Sequence, residues 1–304
     1  MAVSGGGGLG RMSGLAPVAA PKARLPRIRR GGARLLRALK SPHPYVMVAG
    51  VVLALICYWL ATEVLKLPRF DKIPGPVRVF REWFNADPIF GLSIYSAEYY
   101  QHIFYSVRRV AIAFGLATAL GVPLGLMTGW SAKMRDYSFP IIELLRPIPI
   151  LAWVPLAILM FSGRETPVIF LAFLASFFVT VLNTHLGVRS IDESYFRAAA
   201  CLGSSPAQIF RHVVVPGALP YIFTGLQISM GVNWFSLVAA EMVSGNFGLG
   251  YLILNSYVSM TYVTIIIGMI TLGIVGALSS GLIRCLGNRL MQWRVRSIGM
   301  GGRT

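Results

Sequence analysis

What most constrains this chain is a succession of apolar stretches about twenty residues long, separated by short polar interruptions. A helix needs about twenty residues to cross the hydrocarbon core of a bilayer. Six stretches of 304 residues fit that length: 45–65, 102–130, 137–161, 167–188, 218–243 and 262–286. Inside lipid the backbone must satisfy its own hydrogen bonds, so such stretches fold as helices. The pattern predicts an all-α, polytopic membrane protein with about six transmembrane helices. Composition agrees, since only 13% of residues are charged, near half the share in a soluble domain.

The net charge of +17 is distributed unevenly. Residues 1–44 carry nine Lys or Arg and no acid. They are rich in Gly and Pro without an apolar period, which predicts a disordered basic segment. An organellar transit peptide is the minor alternative for so acid-poor a start. If the six stretches alternate across a membrane, nineteen of the 28 Lys+Arg fall on the side of the two termini and eight on the other. That bias places both termini in the cytoplasm of a multi-pass plasma (inner) membrane protein. Nucleic-acid binding does not fit, because aromatic residues do not interleave with the basic ones. The partner implied by composition is membrane lipid.

The domain plan is then 1–44, the disordered basic segment; 45–100, the first span and an outer amphipathic segment; 101–287, the transmembrane core; and 288–304, a basic cytoplasmic tail. In the outer segment Val77, Phe80 and Phe84 share a helical face with Arg78, Arg81 and Glu82 opposite. Such a helix lies on the membrane surface or packs as a lid on the bundle. Arg108 and Arg109 sit near a span end, where they can snorkel to head groups. Gly121, Gly125 and Gly129 recur every four residues, the spacing of helices packed at backbone contact. Pro147, Pro149 and Pro155 interrupt the third span, which holds Glu143 and Arg146 at pairing distance.

Residues 190–216 are the longest polar interruption in the second half. Ser190 with Glu193 and Ser205 with Gln208 each spell a capping box. Gly203 stands where a left-handed helix end belongs, and Pro206 where a first helical residue belongs. Pro216 and Pro220 are expected to end the second helix and open the next. Ala198, Ala199, Ala200 and Gly203 offer almost no side chain, so another backbone can approach. Phe196, Ile209, Phe210 and Val213 can fill an apolar cleft on a partner, or the loop can pack on its own bundle.

The order Arg197-Ala198-Ala199, three residues, Gly203, nine residues, Val213-Val214-Val215-Pro216 resembles the EAA loop of ABC importer permeases, with Arg197 where that family has glutamate. Leu219 to Gln227, Val238 to Met242 and Leu145-Arg-Pro-Ile-Pro149 resemble the subgroup that imports nitrate, sulfonates, taurine or bicarbonate. The resemblance implies a permease subunit working with a second permease copy, two ATP-binding subunits and an external solute-binding protein. It assigns coupling to Arg197, Ala198, Ala199, Gly203, Ser205, Pro206, Ile209, Phe210 and Pro216. A self-contained secondary carrier or channel driven by an ion gradient is the alternative.

The chain has no Gly-Lys-Ser/Thr phosphate loop and no acid–base or nucleophile cluster. It is expected to be no enzyme and to need no cofactor, ATP being bound by the partner. The four histidines and three cysteines have no metal-ligand spacing. On the fifth span Gln227, Trp234 and Glu241 recur every seven residues, with Asn233 beside them. Polar groups at that depth face protein or water, so with Asn183 they are candidates for the wall of a translocation path; interhelical hydrogen bonding is the other reading.

Overall fold

The structure, a computed structural model, describes residues 42–65, 72–88 and 92–291. The expected N-terminal segment up to residue 41 and the tail beyond residue 291 lie outside the described residues. The chain falls into two units, 1–57 and 58–304. The described part of the first, residues 42–57, is apolar helix; α1 is Pro42–Trp59 and is followed in sequence by one widened turn, Leu60–Val64.

The second unit contains α2 (Pro76–Trp83), α3 (Ala97–Trp130), α4 (Ala132–Leu145), α5 (Val154–Met160), α6 (Glu165–Arg189), α7 (Glu193–Cys201), α8 (Pro206–Ile209), α9 (Val215–Ser244), α10 (Leu249–Val258) and α11 (Tyr262–Leu290). Four helices are each long and apolar enough to cross a membrane: α3, α6, the continuous run Pro206–Val243, and α11. The six expected spans correspond to these four, α1, and the pair α4–α5.

α6 is the centre of the unit, packed along both α3 and α9. Small residues explain how closely. A Cβ at Gly121 would lie 3.1 Å from Thr180, one at Gly125 2.5 Å from Thr184, and one at Gly129 2.6 Å from Val188. The four-residue spacing is therefore the α3–α6 seam. On the other side of α6, the Asn183 side chain fills the space that a Cβ at Gly225 of α9 would need, at 2.4 Å. Hydroxyls stitch the same seam: Ser229 donates to the Ser176 carbonyl at 3.1 Å and Ser236 to that of Leu171 at 3.2 Å. In lipid, where apolar side chains gain little by meeting each other, such small-residue contacts and hydrogen bonds hold helices together.

Four features differ from the sequence reading. The third span is no single rod: α4 and the run Ile150–Met160 meet at 90°. The break holds Pro147 and Pro149: Arg146 keeps helical dihedrals, and the backbone has left the helix by Pro149, at ψ 134°. α2 does not pack as a lid through its Val77, Phe80 and Phe84 face. Val79, Glu82 and Trp83 are buried, while Val77, Phe80 and Phe84 are largely exposed. α2 packs against α11 and turns its apolar residues outward, as a helix bordered by lipid can. Pro216 and Pro220 do not break the chain. One widened turn, Phe210–Val214, precedes Pro216 and lets α8 run into α9. Its last hydrogen bond, Val215 N–H to the Phe210 carbonyl, skips a residue, so the missing proline donor and the bulk of its ring are accommodated. Finally, residues 249–258 form a further helix, α10, which the six stretches do not include.

Candidate functional site

Residues 190–214 form a helical hairpin between α6 and α9. α7 begins at Asp192, whose carboxylate accepts the Ser194 N–H at 2.8 Å. That amide holds the Asp192 carboxyl below the usual carboxylate range. The capping box expected at Ser190 does not form: Ser190 ends α6, its hydroxyl donating to the Gly187 carbonyl. Asp192 is the stronger cap candidate two residues later, and only one residue can open a helix.

The other end of α7 is as the sequence indicates. Gly203 has φ +76°. Its N–H bonds to the Ala200 carbonyl, and that of Ser204 to Ala199, the paired 5→2 and 6→1 bonds of a left-handed helix end. The box at Ser205 is complete: its hydroxyl accepts the Gln208 N–H, and the Gln208 side chain accepts the Ser205 N–H at 2.7 Å. Pro206 occupies the first turn of α8.

The hairpin has an inner and an outer surface. Ile209 is buried, and Phe196 and Phe210 pack on Trp130 at the end of α3, with ring centroids 5.9 and 6.0 Å away. These apolar residues therefore anchor the hairpin to its own bundle. Arg197, Ala198, Ala200, Leu202, Gly203, Ser205 and Pro206 are exposed, and Ala199 and Pro216 half-buried. Arg197 pairs with Glu193 at 3.0 Å, one turn back, a solvent-exposed pair that contributes little stability. The reading from sequence missed two large exposed side chains, Leu202 at 86% exposure and Tyr195. The signal for Leu202 was its place directly before the helix-ending Gly203, where a side chain projects from the tip. A groove of about 530 Å³ lies alongside, lined by Asp192, Tyr195, His212, Pro216 and Tyr221.

The other candidate residues stand on α6 and α9. Asn183 and Gln227 are half-buried; the Asn183 amide donates to the Val179 carbonyl of its own helix. Asn233 and Trp234 are buried and reach neighbouring helices: Asn233 donates to the Val110 carbonyl at 3.4 Å, and Trp234 Nε1 to Ser279 at 2.9 Å.

Glu241 belongs to a buried charge cluster that sequence spacing did not reveal. Its partner is Arg109 on α3, 1% exposed and not reaching outward as expected. Arg109 Nη1 donates to Glu241 at 2.7 Å and to the Phe247 carbonyl at 2.5 Å. Its Nε and Nη2 form a two-pronged pair with Glu165, the first residue of α6. Such a fork is the strongest geometry for a guanidinium and a carboxylate. Ser106 and the Gly250 N–H also donate to Glu241 at 2.8–2.9 Å. The turn between α9 and α10 is folded against this cluster. Gly248 has φ +130°, and any Cβ there would strike the Glu241 carboxylate. Among the described residues no three His, Cys, Asp or Glu side chains gather as a metal site.

The sequence signature described as the binding-protein-dependent transport system inner membrane component matches residues 121–297. A probable ABC transporter permease of Brucella abortus is 36% identical over 225 residues, 74% of this chain and 87% of that protein. The nitrate import permease protein NrtB of Synechocystis is 34% identical, over 80% of this chain and 90% of the relative. The taurine transport system permease protein TauC of Escherichia coli is 35% identical, over 80% and 88%. Among solved structures, an inward-facing form of the MetNI methionine ABC transporter shares the fold, with TM-score 0.54 at 19% identity over 64% of this chain and 94% of that chain.

Proposed function

The chain belongs to the family of binding-protein-dependent inner-membrane transport components, the permease subunits of ABC importers, and from that premise we propose that it carries a small oxyanion or sulfonate inward, driven by a separate ATP-binding subunit that engages the 190–216 hairpin. ATP is bound and hydrolysed on that subunit, and an external solute-binding protein delivers the solute. A second copy of this chain completes the path. The hairpin and both termini face the cytoplasm, in line with the uneven distribution of Lys and Arg.

One observation carries the coupling role. The positions that match the family's loop fall on one exposed hairpin whose two helix ends are both closed by complete capping geometry. A rigid, capped projection with small side chains at Ala198, Ala200 and Gly203 is suited to receive force. Leu202 and Tyr195, apolar and exposed, are its natural contacts for an apolar cleft. The solute class is supported by relatives named for nitrate import and taurine transport. The path is assigned to the α6–α9 side that bears the half-buried Asn183 and Gln227.

The test is reconstitution in vesicles with an ATP-binding subunit and a solute-binding protein. Nitrate or taurine should enter only when both partners and ATP are present. Uptake by the chain alone, driven by an ion gradient without nucleotide, would overturn the reading.

A further inference from the structure

α6 and α9 are the two helices that carry the hairpin, one leading in and one leading out. At 1.5 Å per residue, Glu165 lies about 36 Å along α6 from Arg189, and Glu241 about 39 Å along α9 from Val215. Both carboxylates are thus at the far ends of these two struts, and both are bound by the same side chain, Arg109 of α3. The pairs are separated by 56 and 132 residues, so the convergence is a product of the fold. The hydrogen bonds extend the junction to the connecting turn through the Phe247 carbonyl, the Gly250 N–H and the Leu249 N–H, which Ser106 accepts at 2.8 Å. His102, on the same side of α3, joins the Gly248 backbone at 3.0 Å.

From this geometry we infer that Arg109 is a positioning residue for transport, joining the far ends of the two hairpin-bearing helices so that displacement at the hairpin reaches the opposite mouth of the path undiminished. The inference rests on the proposed coupling role of the hairpin. Two struts joined only at the hairpin can slide past each other along the α6–α9 seam. Tying both far ends to one guanidinium closes the frame. The planar fork matters, because it addresses Glu165 with one edge and Glu241 with another; an ammonium is a point donor and cannot hold both in register. Removing the arginine charge would also leave Glu241 buried without its counter-ion, which favours misfolding, so the decisive variant is elsewhere. Glu165 is 43% exposed, and Glu165→Gln cuts the α6 arm while leaving the Arg109–Glu241 pair intact.

The experiment compares the reconstituted complex of wild type, Glu165→Gln and Arg109→Lys. Solute uptake and ATP hydrolysis are measured in the same vesicles, with the loaded solute-binding protein present. The expected result is a fall in solute moved per ATP of about fivefold in each variant, the scale on which changes along a coupled network act. An unchanged ratio overturns the inference, whether or not protein level and melting temperature fall, because a staple that only stabilises the fold lowers the amount of working complex and not its stoichiometry. Wild type is the internal control: if it shows no ATP-driven uptake, the functional reading fails, independently of how the variants compare.

Discussion

Gly125 offers the cleanest quantitative test of the packing. A Cβ added there would lie 2.5 Å from the Thr184 Cβ and 2.7 Å from the Val181 carbonyl oxygen. Comfortable carbon contacts are about 3.5–4.0 Å, so α3 and α6 would have to part by about 1 Å. Rotamer changes give little relief, since Cβ positions and a backbone oxygen do not swing. Overpacking of this kind costs about 1–3 kcal/mol, offset by no more than about 1 kcal/mol from the better helix propensity of alanine. For a unit of this size 1 kcal/mol moves the midpoint by about 2–4 °C. Gly125→Ala should therefore lower the melting temperature in detergent by several degrees, and Gly125→Leu should abolish the monodisperse peak in size-exclusion melts. Gly115 on the same helix is the control. No heavy atom lies within 4 Å of a Cβ there, so Gly115→Ala should melt at or slightly above the parent. If Gly125→Ala melts no lower than Gly115→Ala, the backbone-contact account of the α3–α6 seam is refuted.

Two other substitutions probe function. At Gly203 a Cβ meets no neighbour, so the penalty comes from φ +76° alone and amounts to about 1–2 kcal/mol for an L-residue. Gly203→Val should uncouple ATP hydrolysis from uptake, whereas Gly203→Asn, which tolerates the left-handed region, should retain most coupling; equal behaviour of the two would remove the helix-end argument. Gln227→Leu should lower uptake at unchanged protein level, while Asn233→Leu, which loses the bond to the Val110 carbonyl, should lower protein level as well. Wild-type uptake by Gln227→Leu would take that residue off the path.

What the sequence disclosed and what it hid divide along a physical line. The Ser205–Gln208 box and the Gly203 end were readable because every partner lies within a few residues. The Ser190 box was misread for the same local reason: Asp192 competes for the same helix start, and spacing alone does not choose between two overlapping caps. On α2 the spacing groups Val77, Phe80 and Phe84 on one face but does not choose between lipid and the bundle as its neighbour; the structure leaves them exposed, as lipid accepts, and buries Val79 and Trp83 instead. α10 escaped notice because ten residues do not span a bilayer and glycines precede them. The Arg109 cluster was out of reach altogether. Arg109 lies near the start of the apolar stretch 102–130, where a basic side chain ordinarily reaches outward, and nothing in the spacing joins it to a glutamate 132 residues later.

The unbroken passage from α8 through the widened turn into α9 has a consequence for how deep the protein sits. The run Pro206–Val243 has 38 residues, so it is about 57 Å long at 1.5 Å per residue. Tilted by the common 20°, it still covers about 54 Å along the bilayer normal. A bilayer with its polar layers is only about 40–45 Å thick. With the Glu241 end level with one lipid–water boundary, the Pro206 end stands about a helical turn or two clear of the other. The tip at Leu202 is then presented in open water, within reach of a soluble protein that never touches the lipid.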